Sequence, residues 1–400
     1  MLKRLLKSED GNVAVMFALA LLPVVGVAGS AVDYARGSSA RSKLQIAADA
    51  AALNAVVARV PTDARREAVA VATMQQYASD DAEMRSVATE ASPKKVTVTA
   101  TAEVKTVFMQ LMQVDDLKFS ARATAVKVFQ GPPPCILALN KTVSAAIKFS
   151  GGADFVGEGC VVHSNSSSPS GLTFDGTRLS AKAEGFCSVG GVSASTTIVP
   201  TPESYCDEME DPFRNVAFPT AGGCDYNNKH IPASKEENLP AGKIFCGGLT
   251  INGKVALEPG IYIVEGLLDI QAQAHVTGKG VTFFLKGKDA GFKLAGGSGL
   301  HLTAPTSGPY ANILIMQDRL SNPGGVNSFT GGSGATLVGA IYTPTQIVDA
   351  SGSGSIGQRA FMPIIADQVR ISTKVTTVIP NDINLPAPLP RSFSGARLTH

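Results

Sequence analysis

From Val13 to Val32 the chain reads VAVMFALALLPVVGVAGSAV, apolar or small throughout and without a charge. A helix of that length reaches about 30 Å at ~1.5 Å per residue, the thickness of a bilayer's hydrocarbon core. The helical pattern continues from Asp33 to Val60. There Leu44, Ala48, Ala51, Ala52, Ala55 and Val56 share one face, with Arg41, Lys43 and Asp49 off it. A face of alanines admits close packing, and a sheet of the same chain is its expected partner. Pro61 with Thr62-Asp63 ends this helix and caps a second, predicted to run to about Ala88. Arg65, Arg66, Glu67, Asp80, Asp81 and Glu83 are expected on its solvated face.

At Lys94 the period changes to two. Val96, Val98, Ala100 and Ala102 alternate with Thr97, Thr99, Thr101 and Glu103, which predicts a strand. Val104–Val114 and Lys118–Phe129 are expected to add further strands around a turn at Asp115-Asp116. Residues 33–130 thus form a small α+β unit behind the apolar helix. Gly131-Pro132-Pro133-Pro134 then reads as a stiff linker over 131–134.

Beyond it, in 135–400, short apolar runs recur between Gly-rich turns, among them Ile136–Leu139, Ile261–Val264, Val281–Leu285, Ile313–Met316 and Val369–Ile371. Such runs suit a sandwich or a parallel β-solenoid. Their number and shortness, and Gly where tight corners would fall, favour the solenoid. Residues 196–246 interrupt it with six prolines and the acidic run Asp207-Glu208-Met209-Glu210-Asp211, and are expected to be an inserted loop. That run lacks the spacing and glycine of an EF-hand.

Charge adds orientation. Lys3, Arg4 and Lys7 precede the apolar run, which places residues 1–12 in the cytoplasm and the bulk of the chain across the membrane. Gly29 and Ala31 offer a signal-peptidase-like small pair, but the acidic Glu9-Asp10 and the length of the run favour an uncleaved anchor over 13–32. A net charge of +2 and the lack of any basic cluster give no reason to expect a nucleic-acid partner. The six cysteines, Cys135, Cys160, Cys187, Cys206, Cys224 and Cys246, have no zinc-type C-x-x-C spacing. In an exported segment they predict three disulfides. Of the fifteen connectivities open to six cysteines, neighbour pairing is the working choice.

The N-terminal third resembles a known family. Gly11-Asn12-Val13-Ala14-Val15-Met16-Phe17, then Val32-Asp33-Tyr34-Ala35-Arg36, then Leu44-Gln45-Ile46-Ala47-Ala48-Asp49-Ala50-Ala51-Ala52-Leu53 look like the N-terminal module of TadE/TadG-like Flp pilus-assembly proteins. The resemblance covers about residues 9–130, with Gly11, Asp33, Gln45 and Asp49 as its motif residues. It implies a bacterial envelope protein of the tight-adherence pilus machinery. Met16 stands where a prepilin peptidase substrate would carry Glu, so an uncleaved anchor is implied. Leu257-Glu258-Pro259-Gly260-Ile261-Tyr262 is similar to repeats in the β-helical tails of Tad-domain proteins. Asp349-Ala350-Ser351-Gly352-Ser353 matches the D-x-S-x-S of a von Willebrand A metal site, but only 47 residues follow it, too few for that domain. It is expected to be a turn.

Catalysis is not expected. Glycan hydrolysis needs paired carboxylates across a cleft. Glu258, Glu265, Asp269, Asp349 and Asp367 are candidates only by position, and the five histidines are scattered without HExxH or a nucleophile elbow. Cys160-Val161-Val162-His163 is half a metal site at most, so no metal or cofactor is expected.

These readings combine into an anchored periplasmic assembly protein associated with the Flp pilus. Its expected partners are the inner membrane and candidates among pilus subunits, cell-wall and outer-membrane components. A periplasmic glycan-active β-helix and a secreted surface-binding solenoid are the alternatives.

Overall fold

The computed structural model of the protein describes residues 12–76, 82–220, 222–295, 299–330, 335–352, 354–380 and 383–399. It divides into two units. One takes the chain up to Val128 together with Ser394–His400, and the other takes Phe129–Phe393.

In the first unit a single helix, α1, spans Asn12–Val57 without a break and contains Pro23. At ~1.5 Å per residue it is roughly 70 Å long, about twice what a bilayer core requires. Its described residues from Val15 to Val25 are exposed along every side. Beyond them a stripe of mostly small residues is buried at steps of three and four: Gly29, Asp33, Gly37, Ala40, Leu44, Ala48, Ala51 and Ala55. This stripe packs on an antiparallel sheet of β1 (Glu83–Ser92), β2 (Lys95–Lys105) and β3 (Asp116–Val128). Val96, Val98, Ala100, Ala102, Ala121, Ala123 and Ala125 form the facing layer, so the expected sheet partner of the alanine face is found.

The second helix, α2, covers Asp63–Gln76 and is shorter than expected. Glu83–Ala88 belong to β1, where Val87 opposes Ala100 and Glu90 opposes Thr97. Cross-strand pairing on an already formed sheet overrides the helical preference of this segment. Arg66 is buried, not solvated. Its Nη1 donates to the carbonyls of Ala55, Val56 and Ala58 at 3.1, 3.3 and 2.9 Å. It thereby satisfies orphan acceptors at the C-terminus of α1, where a cation also complements the helix dipole. Asp80 and Asp81 lie outside the described residues. The strand expected over Val104–Val114 stops at Lys105. A 3-10 turn at Met109–Met112 follows, and Asp116 opens β3 instead of sitting in a turn.

The expected second region, 135–400, ends earlier. Its last strand, Gly395–Leu398, pairs antiparallel with β3 as the fourth strand of the first unit's sheet. The second unit is therefore inserted between β3 and that strand. The prolines of 131–134 are not a free linker. Pro134 begins the strand Pro134–Ala138, and the carbonyl of Pro133 accepts the N–H of Val161 at 2.9 Å.

Every strand pair of the second unit is parallel among the described residues. The antiparallel pairing of a common sandwich, which the same short runs allowed, is not found among the described residues. The longest ladder lies in the spatial order Gly185–Ser188, Val161–Ser164, Pro134–Ala138, Ile364–Ile371, Ala340–Ser351, Ile313–Gln317, Val281–Leu294, Gly260–Ile270, Ile244–Ile251 and Tyr226–Ile231. The chain thus enters in mid-ladder, builds outward to one end, restarts at the other end and builds back. The join is Ile364–Ile371 against Pro134–Ala138 and Ile147–Ser150.

One column of inward side chains crosses this join unbroken: Ile231, Ile251, Ile270, Leu294, Phe329, Ala350, Ile371, Phe149 and Phe174, each the register partner of the next. All nine are buried.

The inserted loop expected over 196–246 is irregular only to Asp225. Tyr226–Ile231, Glu236–Leu239 and Ile244–Ile251 are strands. The first hides from periodicity because it is an end strand with a single side chain, Ile231, fully in the core. Residues 195–220 and 222–225 form a strap that is held to the ladder region at Cys187, Asn165 and Tyr342.

Candidate functional site around Asp33

Asp33 sits just past the apolar run, 2% exposed. Its carboxylate accepts the backbone N–H groups of Val107, Phe108 and Met109 at 3.0, 2.7 and 2.8 Å. Arg36 lies 3.9 Å away. Burial works against the charge, but the backbone bonds from Met109, Val107 and Phe108 and the Arg36 guanidinium outweigh it. They hold the carboxyl below its ordinary value of 3.8. Three donors on one carboxylate fix the loop after β2 to the helix.

Glycines make the approach close enough. A Cβ on Gly29 would strike the Phe108 ring, and one on Gly37 would lie 2.8 Å from Leu117 Cδ1. Packing under Phe108 thus accounts for the small residue at 29 that also looked like half a peptidase site.

The other motif residues tie the next turns of α1 to β3. Gln45 Nε2 donates to Asp49 Oδ1 at 2.9 Å and to the carbonyl of Arg122 at 3.0 Å. Gly11 lies outside the described residues. Together Asp33, Gln45 and Asp49 act as polar fasteners on an otherwise alanine-lined face.

With this geometry in place, one comparison is decisive for the segment. Residues 11–59 match the family model Tad, "Putative Flp pilus-assembly TadE/G-like". The Tad match covers α1 from before its start to just past its end, including Asp33, Gln45 and Asp49. No curated protein and no solved structure matches the chain.

The cysteines fall into three neighbour pairs, Cys135–Cys160, Cys187–Cys206 and Cys224–Cys246, with Cα separations of 5.4, 6.0 and 5.7 Å. Cys187 and Cys206 lie near Glu203, and Cys224 and Cys246 near Glu265, in the manner of ligand clusters. Sulfurs joined in disulfides are not thiolate ligands, so these clusters do not offer metal chemistry. Cys160 is likewise joined to Cys135, and His163 beside it is buried.

The acidic run of the strap is engaged by protein. Glu208 pairs with Lys141, Glu210 with Arg214, and Asp211 Oδ2 accepts the Tyr342 hydroxyl at 2.7 Å. Sequence reasoning missed Arg319, which holds the same place. Its guanidinium lies over the rings of Phe218 and Tyr342 and donates to the carbonyls of Phe213 and Val216. Burial and the Asp211 charge push the Tyr342 phenol well above its ordinary range.

Of the scattered carboxylates, Glu265 pairs with Lys286 at 3.3 Å and Asp367 accepts Asn140 Nδ2 at 3.0 Å. Asp349 lines a groove of about 360 Å³ with Lys148, Gln368 and Arg370.

Asp33→Asn is expected to loosen the loop at Val107–Met109, because a neutral amide accepts more weakly than a carboxylate. The carboxylate's stabilising effect is present above its ordinary value of 3.8 and is lost as pH falls through the lower folded value. Amide hydrogen exchange at Val107–Met109 checks this. Wild type should show protection that declines only in strong acid, and the variant should exchange faster at neutral pH.

Proposed function

We propose that the protein is a membrane-anchored scaffold of Flp pilus assembly. The apolar half of α1 is the tether in the inner membrane, the N-terminus is cytoplasmic and the chain beyond the tether is periplasmic. The observation that carries this reading is the Tad-matched helix itself. Its first half is apolar and exposed, and its second half is the central element of a folded unit. A helix open to its surroundings on all sides for so long needs an apolar solvent.

The stacked parallel ladders are read as a β-solenoid, supported by the continuous column from Ile231 to Phe174. Neighbouring turns bury each other's apolar faces in such a stack. The solenoid offers its faces to pilus subunits or wall components, with surface adhesion as the outcome. Its role is structural rather than enzymatic. Among the described residues the groove at Asp349 has a single carboxylate in its lining, where a hydrolytic pair needs two.

An in-frame deletion is expected to abolish surface pili and attachment, with both restored by the full chain in trans. Normal piliation and attachment in the deletion strain would remove the proposal. Incubation of the detergent-solubilised full chain with wall and exopolysaccharide fractions is expected to release no product. A released oligosaccharide would favour a glycan-active enzyme instead.

A further inference from the structure

We propose that the loop Val107–Val114 is a second membrane-contacting element, seated in the interface of the outward leaflet beside the end of the apolar helix. The inference rests on the reading of α1 as a membrane tether. The loop reads VFMQLMQV, eight residues without a charge, between Lys105 and Asp115-Asp116. Leu111 is 79% exposed, and Val107 and Met112 are more than half exposed. Side chains of this kind in a soluble loop would normally turn inward. Here Phe108 does so, against Gly29, while Val107, Leu111, Met112 and Val114 stay exposed.

Position along α1 sets the depth. Gly29 lies one turn before Asp33, about 6 Å nearer the bilayer centre at ~1.5 Å per residue. Phe108 is therefore level with the last turn of the apolar run. That matches the ~5–10 Å at which interfacial segments bury their apolar faces. Tyr34, 72% exposed at the same boundary, belongs to the residue type enriched there.

The loop backbone is prepared for a poorly hydrated place. Asp33 takes the N–H groups of Val107, Phe108 and Met109. Those of Leu111, Gln113 and Val114 donate to the carbonyls of Phe108, Gln110 and Met109. Irregular backbone is excluded from the hydrocarbon core when exposed to lipid, so the interface and not the core is the seat. The occupant follows from continuity. The exposed apolar surface of α1 at Val24, Val25 and Val27 leads to the loop, and lipid that covers the one reaches the other. Two contacts a few residues wide fix the tilt and rotation of the helix, which one cylindrical span does not.

The chain has no tryptophan, so a single introduced one reports its own surroundings. Leu111→Trp and, separately, Met112→Trp are placed in the full-length protein in phosphatidylcholine–phosphatidylglycerol vesicles. Leu19→Trp reports on the span. Shallow-brominated lipid is expected to remove most emission from the two loop reporters and deep-brominated lipid much less, with the reverse order for Leu19→Trp. Quenching of the span reporter with neither loop reporter quenched overturns the loop proposal and leaves the tether standing. That holds even if loop emission is blue-shifted, since a second protein copy would then be its cover. If Leu19→Trp is also unquenched, the tether reading fails and this proposal with it.

Discussion

Phe149→Ala is expected to destabilise the second unit by about 3–5 kcal/mol, the usual cost of removing a large aromatic from a closed core. Phe149 is fully buried and lies where the chain's two building directions meet. Its ring stacks on Phe174 at 5.1 Å and contacts Phe155 and Phe186 at 5.4 and 6.5 Å. Truncation leaves a void between Ile371 and Phe174, and both sides are held in register by backbone ladders, so collapse is restricted. Urea unfolding should show a lower midpoint with the slope kept, because the surface exposed on unfolding is nearly the same. A midpoint within error of wild type would mean that the join is not a packed core.

Replacing Cys224 and Cys246 by Ser is expected to cost about 3 kcal/mol, the chain-entropy value for a loop of this size. The bond ties one end of the strap to the strand Ile244–Ile251, while Cys206 ties its earlier part to Gly185–Ser188. Between them the strap rests on Asp211–Tyr342, Arg319 and Phe218–Phe284. Those contacts should keep the variant folded under mild conditions. Limited proteolysis then separates local from global loss: cleavage between Pro219 and Tyr226 should appear in the variant before any in the ladders. Equal protease resistance and an unchanged midpoint would refute the clamp.

Much of the first unit was readable because its periodicities are clean. The alanine face of α1 and the Val96–Ala102 alternation each name one buried side, and each is buried. What periodicity missed had a different physical origin. Arg66 looks like any surface arginine until the end of α1 is placed over it. Val107–Val114 is as apolar as a strand, and only Asp33, more than seventy residues earlier, turns its backbone into a loop.

In the second unit the short apolar runs were found, yet their spatial order was not, since Ile364–Ile371 and Pro134–Ala138 resemble every other pair of runs. The neighbour pairing of cysteines does have a sequence signal in hindsight. Their separations of 25, 19 and 22 are about one ladder step of chain, which brings successive cysteines alongside. Of the site, Asp33, Gln45 and Asp49 were found through the family motif, while Phe108 and Arg319 needed coordinates.

The mid-ladder entry of the chain has a consequence in time. Pro134–Ala138 is made early, but the strand that covers its second edge starts at Ile364. At ~5–20 residues per second, ribosomes need roughly 10–45 s to reach that partner. For that interval an apolar strand edge stands open on a nascent chain, the condition under which neighbouring chains stick to one another. Correct folding of this protein therefore depends on keeping newborn copies apart until the strand at Ile364 arrives to close the gap.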